Sequence, residues 1–227
     1  MRSATSFVVL AAAAATFPLF LGSPASAGSP GADVHRAQLQ AVPHDRAADS
    51  GSDVTGTARL VYQGDGRLNV RVTVRGASPD LPHLMHIHGT EQARAECPTL
   101  VHAPGGVDDR LIETVDGLDR YGPIQVTFAT RGDTSPASGL ALDRAPVADR
   151  NGTVQYSRTV TIPVPIGARL DDMHVVVHGE DLDDDGVYDP GPITALGAPL
   201  EAELPVACGE IDPVGHSHAG GAGHSHG

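Results

Sequence analysis

Tryptophan is missing from this chain, and four Phe and four Tyr bring the aromatics to only 4%. Large interdigitating aromatic cores and long helical bundles are therefore a poor fit. Cysteine is nearly missing too, with two residues, Cys97 and Cys208. Positive charge is scarce: 15 basic side chains face 28 acidic ones, a net charge of −13. That balance excludes a nucleic-acid binder or a protein held by an anionic membrane surface. Past residue 27 no stretch is long and apolar enough to span a bilayer. Glycine and proline are plentiful, at 27 and 18 residues, which fits short strands joined by many turns.

The first 27 residues read as a secretory leader. Arg2 supplies the positive start, Phe7 to Leu21 the apolar run, and Ala25-Ser26-Ala27 the small-residue cleavage site. The expected product is exported and soluble, located outside the cell or at the cell-envelope exterior. Losing Arg2 leaves 14 basic against 28 acidic groups, or −14. In that compartment an even pair of cysteines favours a disulfide over a redox or zinc motif.

Residues 28–53 carry Ala, Gly, Ser, Pro and charge without clear periodicity, and are expected to form a flexible segment. Patterned sequence follows, and 54–213 is expected to be one β domain. Leu68, Val70, Val72 and Val74 alternate with Asn69, Arg71, Thr73 and Arg75, as in a half-buried antiparallel strand. Further strands are expected at 57–63, 84–88, 124–130, 153–162 and 173–178, with a last one leading to Cys208. Residues 89–122 read as a large ordered loop. Strands at this spacing indicate an antiparallel β-sandwich or flattened barrel. Residues 214–227 are low-complexity and carry His216, His218, His224 and His226 as two H-S-H units, a flexible chelator of metal ions.

The most informative feature is the set of scattered histidines. In His86-Ile87-His88-Gly89 a strand places both imidazoles on one face, a half-site for copper or zinc. Spacing alone also permits a plain polar strand face. A second strand ends Val175-Val176-Val177-His178, and His102 lies between the two. His174 shares a face with His178 and reads as a solvated or hydrogen-bonded side chain rather than a ligand. Asp181, Asp183 and Asp185 with Gly186 match the first half of a calcium loop, to which the Val187 carbonyl would add an oxygen. Pro192 stands where that motif has its bidentate glutamate. An acidic surface turn accounts for the same residues.

Together these residues resemble the copper/zinc superoxide dismutase family. The likeness rests on the H-x-H strand after a meander, on Cys97 nine residues beyond His88 with Cys208-Gly209 near the domain end, and on Val176-Val177-His178. It implies a Greek-key β-sandwich, a Cys97–Cys208 disulfide, and copper held by His86, His88, His102 and His178. It also implies that superoxide is the substrate. No histidine lies between His102 and His174, so the resemblance is to copper-only members and no normal zinc site is expected. The family's substrate-guiding arginine, three residues before the second cysteine, is replaced by Pro205. Dismutation of low efficiency is the consequence. The H-I-H-G motif also resembles the chordin-type CHRD repeat, a β domain with no established enzymatic role. That resemblance implies a non-enzymatic metal-binding or extracellular interaction module.

Overall fold

The computed structural model describes residues 31–44, 53–89, 96–99 and 111–214. The expected leader, His102 and the histidine-rich tail lie outside the described residues. Among the described residues there are nine strands: β1 (Asp33–Ala41), β2 (Thr55–Tyr62), β3 (Arg67–Arg75), β4 (Met85–His88), β5 (Ile124–Thr127), β6 (Val154–Thr161), β7 (His174–His178), β8 (Pro205–Glu210) and β9 (Asp212–Pro213). Every pairing is antiparallel, in the order β5-β4-β7-β8-β1-β2-β3-β6, with β9 on β1. The chain crosses from one half to the other between β3 and β4, returns between β5 and β6, and crosses again between β6 and β7, a Greek-key connectivity. β1 belongs to both halves: one end pairs with β2 and the other with β8. The result is the curled antiparallel sandwich expected from the sequence.

Alternation builds the core. Leu68, Val70, Val72 and Val74 of β3 are all buried, and they pack with Leu60 of β2, Tyr156 and Val160 of β6, and Met85, Ile87, Val175 and Val177 of the other half. Burying each such side chain contributes about 1.5–3 kcal/mol. On β3 the intervening Arg71 stays outside. β4 and β7 differ, because both of their faces are buried. Met85, Ile87, Val175 and Val177 enter the core, so His86, His88, Val176 and His178 must point to the sheet's outer side. Val176 packs there with Ile112, Tyr121 and Cys208.

Two sequence-based expectations are corrected. The segment 28–53 is not wholly a flexible lead-in, because Asp33–Ala41 is a central strand. Its inward residues are His35, Ala37 and Leu39. One small and one polar side chain among three leave little apolar contrast with Arg36, Gln38 and Gln40, which is why the period did not stand out. The 89–122 loop also contains a helix, α1 (Thr114–Tyr121), eight residues long. Asp116 accepts a hydrogen bond from the Glu113 N–H at 2.9 Å at its start, and Gly122, with φ +79°, ends it. Two further short α-helices, α2 (Val164–Gly167) and α3 (Leu200–Glu203), and three 3-10 turns, at Pro136–Ser138, Leu142–Arg144 and Leu170–Asp172, are also described. No helix of the described residues is long and apolar enough to cross a membrane.

Cys97 and Cys208 are disulfide-bonded, with Cα atoms 5.8 Å apart and 111 positions between them in sequence. The bond joins the segment after β4 to β8, which neighbours β7. Closing a loop of that length restricts the unfolded chain by on the order of 3–5 kcal/mol. The Cys97→Ser/Cys208→Ser double variant is expected to lose about that much unfolding free energy in urea titrations. A midpoint equal to that of the wild type would show that the bond is not a staple of this fold.

Candidate metal centre

Three of the four histidines expected to hold copper are described, and they converge. His86 and His88 share the outer face of β4. Neighbouring β7 pairs in a register that sets Val176 opposite His86 and His174 opposite His88. His178, two residues beyond Val176, is therefore the diagonal neighbour of His86. The register shifts between Ile87 and His88 and between Val177 and His178, and such irregularities re-aim side chains. Ring centroids lie 5.4 Å apart for His86–His88, 5.0 Å for His86–His178 and 5.7 Å for His88–His178. One nitrogen from each ring falls within 4.8 Å of the others.

Hydrogen bonds decide which nitrogen each ring offers. His86 Nε2 faces the Gly139 carbonyl at 2.9 Å, His88 Nδ1 the Gly122 carbonyl at 2.8 Å, and His178 Nδ1 the Glu203 carbonyl at 2.7 Å. A carbonyl can only accept, so each of those nitrogens carries the proton and the other keeps its lone pair. Those others are His86 Nδ1, His88 Nε2 and His178 Nε2, all buried and without a hydrogen-bond partner. Three orphaned lone pairs are costly in a protein interior. An ion bound at the usual imidazole–metal distance of about 2.0–2.1 Å would satisfy them. The donor set thus fits a metal that prefers imidazole.

Burial keeps the rings neutral. Desolvation, with repulsion from His178 and His88, holds His86 well below the ordinary histidine value. Desolvation first, then His178, lowers His88 to about 3, and desolvation lowers His178 to about 4. Neutral imidazole is the form a metal binds. Around them, α1 and its flanks form the cover. The Tyr121 ring meets His88 edge-on at 4.7 Å, and its hydroxyl donates to the Thr114 carbonyl at 2.9 Å. Gly117 gives that ring room, since a Cβ there would collide with it. Thr114 Oγ1 donates to the Glu203 carbonyl at 2.9 Å, bracing the acceptor of His178.

The other expected residues are placed as follows. His174 is fully buried rather than solvated; it lies opposite His88 in the sheet but is not one of the three grouped rings. Pro205 opens β8 opposite His178, so no side-chain cation occupies that position. In the acidic loop, Asp181 and Asp183 group with Glu201 of α3, while Asp185 stays outside the group. Their oxygens already accept loop N–H groups: Asp181 from Gly186 at 2.8 Å, and Glu201 from Leu182 and Asp189 at 3.0 and 2.8 Å. Asp185 accepts from the Val187 N–H at 2.9 Å. Glu201 was not legible as a member because it lies twenty positions after Asp181, on another element.

Three buried histidines were not singled out in the sequence: His35, on the inward face of β1, and His44 and His83. Val42–His44 follows β1, and His44 Nδ1 accepts the Ile112 N–H at 3.1 Å, which leaves Nε2 to donate to the Pro205 carbonyl at 3.1 Å. His83 stands between the carbonyls of His178 and Ser78, at 3.2 and 3.0 Å. A neutral ring donates to only one of them. His44 and His83 hold the main chain around the triad, and nothing in their local sequence marks that role.

No protein-family profile matches the chain, and no curated protein matches it in sequence. Among solved structures, a single-substitution mutant of Candida albicans superoxide dismutase 5 is similar with 14% identity and a TM-score of 0.39, over 86% of this chain and 99% of that one. The clock protein EA4 is similar with 15% identity and a TM-score of 0.38, over 79% of this chain and 93% of that one. Likenesses this slight decide neither family nor activity.

The lowered values carry a pH dependence. Above about pH 6.5, the ordinary histidine value, folded and unfolded chains are both neutral at these rings and stability is unaffected. Below it the unfolded chain takes up protons that the folded triad refuses. Stability is therefore lost as pH falls, until about 4 for His178 and about 3 for His88. Each ring removes up to about 1.4 kcal/mol per pH unit in that window. Metal-free protein is expected to unfold at markedly lower urea concentration at pH 5 than at pH 7. Equal midpoints would contradict the neutral, buried triad.

Proposed function

We propose that this chain is an exported copper-binding protein with superoxide dismutase character. His86 Nδ1, His88 Nε2 and His178 Nε2 are the copper donors, and His102 is the fourth. The observation that carries this reading is the set of three buried lone pairs left without partners. A site of imidazoles without thiolate or carboxylate suits copper. Copper held there would supply one-electron redox chemistry. The chain's own part is to orient the rings, to keep the proton on the nitrogen facing each carbonyl, and to exclude bulk water from the buried triad.

The leader at 1–27 and the Cys97–Cys208 bond support export. The tail histidines His216, His218, His224 and His226 form a second, looser chelator of metal ions. Superoxide is the proposed substrate, and turnover is slow. It is an anion, and efficient use would need a positive approach. Pro205 brings no charge opposite His178, and carboxylates begin at Glu180. The same absence favours a second reading, metal binding without turnover, as in a CHRD-like module.

Copper binding is tested in a full-length chain whose four tail histidines are replaced by alanine. One tightly bound copper is expected, and His86→Ala/His178→Ala is expected to abolish it. Unchanged stoichiometry in the double variant would remove the triad from the reading. Pulse radiolysis of the same copper-loaded chain is expected to give dismutation far below the diffusion limit. Added salt should speed a reaction held back by like charge. A near-diffusion-limited rate that disappears in His178→Ala would establish an efficient dismutase instead. A rate no higher than that of free copper would favour the binding module.

A further inference from the structure

The three carbonyls that orient the triad come from different places. Gly122 ends α1 and Glu203 ends α3, whereas Gly139 lies in the connection between β5 and β6, which has no sheet to hold it. Gly139 caps a short 3-10 turn (Pro136–Ser138), donating its N–H to the Pro136 carbonyl at 3.0 Å, and side chains tie that turn down. Asp133 Oδ2 accepts the Ser135 N–H at 3.2 Å, the Ser135 hydroxyl at 2.7 Å and the Ser138 hydroxyl at 2.5 Å. Arg144 donates from Nη2 to Ser138 Oγ at 2.8 Å and from Nη1 to the Asp133 carbonyl at 3.1 Å. Ser138, only 6% exposed, thus donates and accepts at once. It immediately precedes Gly139, whose carbonyl receives His86 Nε2.

Main-chain bonds fasten this knot at both ends. Thr127, directly opposite His86 in the sheet, donates its N–H to the Thr134 carbonyl at 2.8 Å and its hydroxyl to the Ser135 carbonyl at 3.0 Å. Thr130 donates its N–H to the Arg144 carbonyl at 2.8 Å. Approach at Gly139 is close: a Cβ there would meet Ile124 Cδ1 at 2.6 Å. Hydrogen bonds from Ser135 and Ser138, with Arg144 nearby, hold the Asp133 carboxyl below its ordinary value, so it stays an acceptor near neutrality.

We propose that Asp133, Ser138 and Arg144 are positioning residues for the metal centre, fixing the Gly139 carbonyl so that it holds His86 Nε2–H and turns Nδ1 toward the ion. The proposal rests on the copper reading for its purpose but not for its geometry. Groups that orient a ligand from behind typically change metal affinity by 10–100-fold when removed.

The test uses the full-length chain with its tail histidines replaced by alanine, first without metal. Proton–nitrogen NMR should show three protected imidazole N–H signals, from His86 Nε2, His88 Nδ1 and His178 Nδ1. In Ser138→Ala, and independently in Arg144→Gln, the His86 signal is expected to be lost to exchange with water while the other two persist. Those two also report that the variant is folded. Copper affinity, measured by competition with a chelator of known strength, is expected to fall about tenfold or more in both variants. A His86 signal unchanged in both folded variants overturns the proposal, whatever the copper result. Loss of all three signals in both variants also overturns it, because the knot would then support the fold at large. If the wild type shows the three signals and the selective loss but binds no copper, the knot stands and the copper reading falls.

Discussion

A main-chain carbonyl stands behind each ring of the triad, and the centre depends on that constraint. His86, His88 and His178 are each buried to within 2% of complete. Without an acceptor behind it, each ring could rotate or exchange tautomers, and three lone pairs would not meet. The carbonyls of Gly139, Gly122 and Glu203 remove that freedom at 2.7–2.9 Å. They also let a buried polar ring keep one full hydrogen bond, so that only one nitrogen per ring is left unsatisfied. That residual cost is the one a metal can offset.

The fold is arranged to supply those carbonyls. β4 and β7 spend one face on the core through Met85, Ile87, Val175 and Val177, and the other face becomes a second, smaller interior. A sheet face holding histidines would ordinarily lie in water. Here α1, α3 and the β5–β6 connection close over it, and the disulfide ties the segment after β4 to β8 beside the site. Burial then does two things at once. It drives the ring nitrogens to stay neutral, and it excludes the water that would compete with an ion. The cost is sensitivity to acid, since the unfolded chain can take up the protons that this interior rejects.

Much of this was legible in the residues. Period-two alternation located β3 and β7, turn signals bracketed β2, β4, β5 and β6 to within a few positions, and the last strand was placed only as leading to Cys208. The H-x-H pair had to share a face whatever the fold. β1 escaped because His35 and Ala37 give its inward face little apolar contrast. α1 escaped because it is short and mostly polar, and its role is to bring Gly122 and Tyr121 against His88. Glu201 escaped for a different reason: a residue joins an acidic group through folding, and spacing of twenty positions carries no signal of that.

Residue order alone set the strand class, the shared face of His86 and His88, the excess of negative charge and the availability of two cysteines for one bond. These follow from side-chain periodicity and composition, which are local. Packing in three dimensions was needed to bring His178 to the pair, to commit His44 and His83 to the main chain, and to choose which nitrogen each ring of the triad leaves unprotonated. Those outcomes depend on strand register and on which carbonyl lies behind a ring. Both are set by contacts between residues 25 to 92 positions apart, such as His178 with Glu203 and His86 with His178. Distances of that kind in sequence leave no periodic trace, because the energy that selects them comes from burying whole strands together rather than from any neighbouring residue.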